Sequence, residues 1–153
     1  MQNIDIDSIP TLIDVVHEER QGQPRPHLGA SMLGHKCDRW LWLSFRWAVV
    51  EKFSGRMLRL FRRGHNEEQQ IVNDLRSIGL DVRTPSEGQS RVEFGCHVSG
   101  SIDARVEKGV PGAERTPHVA EFKTHSLKSF NDLRNKGVRD AKPMHWAQMQ
   151  AYM

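Results

Sequence analysis

Hydrophobic and polar positions change their period twice along the chain. Over residues 7–20, DSIPTLIDVVHEER, apolar residues recur at helical spacing behind a candidate cap at Asp7 or Ser8, with Pro10 in the first turn, which predicts a short leading helix. QGQPRPHLG then breaks the pattern, so residues 1–30 read as an N-terminal extension carrying that helix. Residues 31–50 start at Ser31 and run through MLGHKCDRWLWLSFRWAVV; residues 55–79 end in LRSIG, with Gly79 as a candidate C-cap. Both stretches predict helices. After Gly79 the period shortens: LDVRT, RVEFG, CHVSGSIDARVE and PHVAEFKT are partly alternating runs separated by Pro, Gly and Ser, as strands are. From Ser126 the helical period returns, with SLKSFNDLRNKG closing at Gly137 and KPMHWAQMQAYM opening after Pro143. This order predicts a mixed α/β or α+β domain, a sheet flanked by helices.

Length and composition narrow this further. The 153 residues suit one domain with a real core and not two. The last helix stops at Met153 without a capping glycine, which implies a domain truncated at its C-terminal end or one completed by a second chain or further copies. Apolar residues are 37% and charged residues 27%, yet six Phe and four Trp are more aromatics than a disordered chain carries. No apolar run approaches the roughly 18 residues of a membrane span, and MQNIDIDSIP lacks a signal peptide's basic and apolar regions. A soluble cytoplasmic protein with no membrane partner is expected. Cys37 and Cys96 are too few for a disulfide framework or a four-cysteine metal site, and are expected to be reduced structural thiols.

The net charge of +3 is mild, but its distribution is not. Between Lys36 and Arg63 stand eight Lys or Arg against Asp38 and Glu51, interleaved with Trp40, Trp42, Phe45 and Trp47. Such a block fits either solvated arginines on an amphipathic helix pair or a phosphate-binding surface.

A third pattern concerns acids. In HVAEFKTHS, alternation sends Val119, Glu121 and Lys123 to one face and Ala120, Phe122 and Thr124 to the other. A turn centred near Gly112 pairs position 112 − n with 112 + n, which sets Asp103 opposite Glu121, about 5 Å apart at Cβ. Two carboxylates that close repel unless a cation joins them. On the helix over 55–79, Met57, Leu60, Phe61, Gly64, Ile71, Val72, Leu75 and Ile78 form an apolar stripe; Glu68 lies roughly 30° from its centre and Glu67 roughly 70° away. Glu68 is therefore the third candidate ligand. An oxygen-only set of this kind suits Mg²⁺ or Mn²⁺ better than zinc.

These residues carry a resemblance. GSIDA around Asp103, followed by AEFK with Glu121 and Lys123, resembles the PD-(D/E)XK nuclease signature, with Ile102 where the proline usually stands. Gly64 followed by Glu68 is similar to the helical motif of the RecB-like and lambda-exonuclease-like branch, and QMQAY resembles its QxxxY motif through Gln148 and Tyr152. SMLGHKCDRWLW is similar to the N-terminal helical segment of phage-type members, so the resemblance spans residues 31–153. It implies a restriction-endonuclease-like core with a central mixed sheet, and a metal-dependent DNA nuclease, an exonuclease of the phage recombination or DNA-degradation type acting in a host cytoplasm. Glu68, Asp103, Glu121 and the carbonyl of Phe122 would hold Mg²⁺ or Mn²⁺, and Lys123 would position water. Gln148 and Tyr152 would contact DNA or support the metal site, and Arg39, Arg46, Arg62 and Arg63 would meet DNA phosphates. Two cysteines exclude the four-cysteine iron–sulfur cluster of some members. Within nucleases the alternative is a structure-specific endonuclease; because members usually continue past the QxxxY helix, a DNA-binding or assembly subunit with weak or no activity is the alternative from another class. His35, His65, His118, His125 and His145 lack metal-ligand spacing; His65 and His125 are expected to line the cleft.

Overall fold

The computed structural model describes residues 8–87 and 91–153. Asp7, one of the two candidate caps, lies outside the described residues. Among the described residues five α-helices and six short strands follow in mixed order: α1 (Ser8–Glu19), β1 (Leu28–Gly29), α2 (Asp38–Phe45), α3 (Gly55–Ser77), β2 (Asp81–Arg83), β3 (Arg91–Gly95), β4 (Val98–Ser101), β5 (Ala104–Lys108), β6 (His118–Ala120), α4 (Leu127–Ala141) and α5 (Pro143–Tyr152). The strands form two three-stranded sheets, β1-β4-β3 and β2-β5-β6, antiparallel except for the β1–β4 pair. A continuous central sheet was expected. The run 96–107 does extend through both sheets, but it breaks at Ile102–Asp103, so β4 belongs to one sheet and β5 to the other.

The helices begin where their caps stand. Ser54 Oγ accepts from Met57 N at 3.4 Å to open α3, Ser126 Oγ accepts from Ser129 N at 3.3 Å to open α4, and Pro143 occupies the first turn of α5. Gly79, at φ +92, follows the end of α3, and Gly137, at φ +77, breaks the helical path within α4. The long helix expected over 31–50 shortens to α2. A 3-10 turn at Ala30–Met32 precedes it, Gly34 takes φ +80, and the Cys37 amide is diverted to His35 Nδ1 at 3.1 Å. Beyond α2, Trp47 adopts φ +55, which no helix continues.

The core sits between α3 and the second sheet. Val72 from α3 meets Val82, Ala104 and Val106 from β2 and β5, all fully buried, with Leu75, Leu80, Ala120 and Phe122 packed around them. Arg76 locks the end of α3 to β2, donating to Val82 O through Nη2 at 2.7 Å. α1 packs on α3 through its polar side: Arg59 pairs with Asp14 at 2.9 Å, and Gly55 N donates to Glu18 Oε1 at 2.6 Å. Gly55 is required there, since a Cβ would overlap the backbone of Asp14. The apolar stripe of α3 is covered only from Ile71 to Leu75; Met57, Leu60, Phe61 and Ile78 stay exposed. No helix among the described residues is long and apolar enough to cross a membrane.

Candidate active site

The hairpin of β5 and β6 pairs Ala104 with Ala120, Arg105 with Val119 and Val106 with His118, the register set by a turn about Gly112. One step beyond the ladder, Asp103 and Glu121 stand opposite each other. The strand expected over 117–124 ends at Ala120 because Phe122 N leaves the ladder and donates to Asp103 Oδ2 at 2.7 Å. That bond fixes the Asp103 carboxylate against the segment bearing Glu121 and Lys123. Phe122 turns inward to the core cluster, while Glu121 and Lys123 face a cleft.

Glu121 is the most constrained acid of the site. Its side chain is 3% exposed. Oε1 takes two donors, Lys123 Nζ and Gln148 Nε2, the latter at 2.8 Å. Oε2 is buried with no hydrogen-bond partner among the described residues. Burial pushes the proton affinity of Glu121 above the ordinary carboxylate range, with the Asp103 charge adding to it; the hydrogen bond and charge of Lys123 and the Gln148 amide pull the other way. A buried carboxylate oxygen without a donor is costly, and a hard cation is the partner that would satisfy it.

α5 holds this corner together. Gln148, 4% exposed, also donates to Tyr152 OH at 3.4 Å, and Tyr152 OH donates to Ser101 O at 3.0 Å. The Tyr152 ring stacks on Phe94 with centroids 6.1 Å apart. Gly100 makes the docking possible, because a Cβ there would collide with the Tyr152 hydroxyl and Ala30. Burial raises the Tyr152 phenol above its usual range. Gln148 therefore stands behind Glu121 as a support, and Tyr152 ties α5 to β4.

The cleft, of about 1450 Å³, opens between this corner and α3. Glu68 lines its far wall, with His65 Nδ1 at 3.1 Å from Oε2, and Glu67 lines it too, 3.9 Å from Arg63 Nε. α3 passes Thr124 at Gly64, where a Cβ would stand in ordinary contact, 3.6 Å from Thr124 Oγ1. Still, among the described residues no three His, Cys, Asp or Glu side chains are gathered closely enough to hold one ion. Asp103 and Glu121 are brought together; Glu68 shares their cleft without joining them.

Of the four arginines expected to meet phosphates, Arg63 lines the cleft, whereas Arg39, Arg46 and Arg62 are exposed outside it. Arg25, Arg91 and Lys142 line it instead. Arg25 lies in the irregular QPRPHLG segment and Arg91 at a strand start, where no periodicity marks them. His125 lines the cleft, 5.6 Å from the ring of His145 and 3.2 Å from Ser129 Oγ; His65 meets the site only through Glu68. Burial holds the proton affinity of His145 below its ordinary value, with the charges of Lys123, His125 and Lys142 adding to the effect. Both cysteines are free thiols on the surface. An acid pair on the floor and cations on the rim suit an anionic substrate held over a hydrolytic centre.

Among known proteins, no family model, no curated protein and no solved structure matches this chain.

Proposed function

We propose that the protein is a Mg²⁺- or Mn²⁺-dependent deoxyribonuclease that hydrolyses phosphodiester bonds, an exonuclease built on a restriction-endonuclease-like core. The observation that carries this reading is Glu121: a buried carboxylate, opposed to Asp103, with one oxygen saturated by Lys123 and Gln148 and the other orphaned on a cleft. Asp103 and Glu121 would hold the ion, with the Phe122 carbonyl and Glu68 as further oxygen donors. A divalent ion bound there supplies Lewis acidity and neutralises charge as water attacks phosphorus.

The chain's own groups do the rest. Lys123, tied to Glu121, orients the attacking water and offsets the charge that develops on the phosphate. Gln148 keeps Glu121 in one orientation, so the carboxylate need not reorganise when substrate arrives. Arg25, Arg63 and Arg91 on the cleft wall neutralise backbone phosphates.

The test is cleavage of end-labelled linear and closed circular DNA with Mg²⁺, Mn²⁺ or EDTA. Metal-dependent loss of linear DNA, spared circles, and abolition by Glu121→Ala and Lys123→Ala are expected. Nicking of circles would make the enzyme an endonuclease.

A second reading has its own support. Glu68 stands apart from the acid pair, and the chain exposes 11711 Å², against roughly 7,900 Å² for a compact monomer of this length. Both favour a DNA-binding or assembly subunit that becomes competent when a second chain or further copies cover the open faces. DNA binding without cleavage by the purified chain would select this reading.

A further inference from the structure

α2 shows an unusual outward face. Arg39, Trp42 and the C-cap residue Arg46 lie at i, i+3 and i+7, so helical spacing sets all three on one side. Trp42 is 61% exposed, and Arg46 Cζ stands 5.9 Å from its ring centroid. Just past the helix Trp47 is 56% exposed although it occupies φ +55, a backbone region that a bulky residue rarely tolerates. Its ring is held in place by Nε1 donating to Arg25 O at 3.0 Å. Arg25 lines the cleft, so Trp47, the next residue after Arg46, stands beside the cleft wall. Phe45 is exposed as well, and Lys36 adds a further exposed charge.

The chemistry of this face discriminates among occupants. Two open indoles and flanking cations with Asp38 as the one acid within α2 fit a ligand with both π-faces and regularly spaced negative charge. A duplex presents phosphates but keeps its bases stacked inside; a single strand presents both. We propose that the α2–Trp47 face is a stacking platform for single-stranded nucleic acid at the mouth of the cleft. Bases stack on Trp42 and Trp47, and Arg39 and Arg46 take the adjoining phosphates. The platform goes beyond the proposed cleavage activity and does not need it.

The experiment measures anisotropy of a fluorescein-labelled oligothymidylate of about 20 nucleotides in EDTA, where no metal-dependent cleavage runs. Trp42→Ala should weaken binding by about five- to a hundredfold and Trp42→Phe should restore most of it. Arg46→Ala should reduce the slope of log affinity against log salt by about 0.7. Trp42 is the position of choice because no hydrogen bond of its indole is at stake, whereas loss of Trp47 releases the Arg25 segment. Unchanged affinity and salt slope in both Trp42→Ala and Arg46→Ala would overturn the proposal. So would a wild type that self-associates in sedimentation while Trp42→Ala is monomeric and binds the oligonucleotide equally well, since the face would then join copies of the chain. A chain that cuts no DNA but loses single-strand affinity on Trp42→Ala keeps the platform and loses the nuclease; one that cuts but binds equally well does the reverse.

Discussion

The two walls of the cleft hold their acids by different means. On the sheet wall Asp103 is fixed by the Phe122 amide, and Glu121 is buried and bonded to Lys123 and Gln148. On the α3 wall Glu68 keeps a one-third exposed side chain and a single contact, with a His65 that is itself 84% exposed. One wall is preorganised by hydrogen bonds that span the fold; the other positions its acid by helical periodicity alone. Burial gives the sheet wall its strained electrostatics, and with it the capacity to gain from a cation.

The largest effect should separate the walls directly. Glu121→Ala or Lys123→Ala should lower single-turnover cleavage by at least about 10³-fold, whereas Glu68→Ala should cost about 10- to 100-fold. Equal losses would erase the distinction. Next come the supports of the sheet wall. Gly100→Ala forces Tyr152 and Ala30 apart and should destabilise the fold by about 1–3 kcal/mol in urea titration. Gln148→Ala leaves Glu121 with Lys123 as its one donor and should cost a similar 1–3 kcal/mol, roughly, together with activity.

The pH dependence follows from the raised proton affinity of Glu121. Below the ordinary value of 4.5 both folded and unfolded chains hold the proton, and no penalty arises. As pH rises past that value the unfolded chain ionises first, so stability falls until the folded carboxyl ionises too, and the loss persists above that point. Glu121→Gln abolishes this term. Its stability relative to wild type should therefore increase between about pH 4 and pH 7, read from urea midpoints; a constant or shrinking difference would show that burial does not control the group. The smallest effect belongs to the α3 wall: His65→Ala should change stability by no more than about 0.5 kcal/mol, because its pair with Glu68 is solvent-screened.

Much of the sheet wall is legible in the sequence because strand alternation and a single turn centre are simple geometry. The Gly112 centre sets Asp103 against Glu121, and alternation sends Phe122 and Glu121 to opposite faces. The helix start at Ser126 and the glycines at 79 and 137 are local chemistry and equally readable, whereas the expected cap at Ser31 gives way to Cys37, which opens α2. Other features depend on contacts between distant segments. The division into two sheets follows from the break between β4 and β5, which the alternating run CHVSGSIDARVE does not betray. The helix over 31–50 is cut short by Gly34 and by the bond that the Cys37 amide donates to His35 Nδ1, both weaker signals than the apolar period around them. Arg25 and Arg91 reach the cleft from irregular or edge segments, where no pattern assigns a direction. The stripe on α3 is readable as a stripe, but its open first half is not, since burial depends on what packs against it.

The most direct test of the central claim is thermal unfolding of the wild type and Glu121→Gln with Mn²⁺ titrated from zero. If the orphaned oxygen of Glu121 is a cation ligand, Mn²⁺ at about 100 times its dissociation constant adds about 2.7 kcal/mol to the wild type and raises its Tm by roughly 5–10 °C, with little change in the variant. Equal shifts in the two proteins, or none in the wild type, would contradict the assignment of Glu121 to a metal centre.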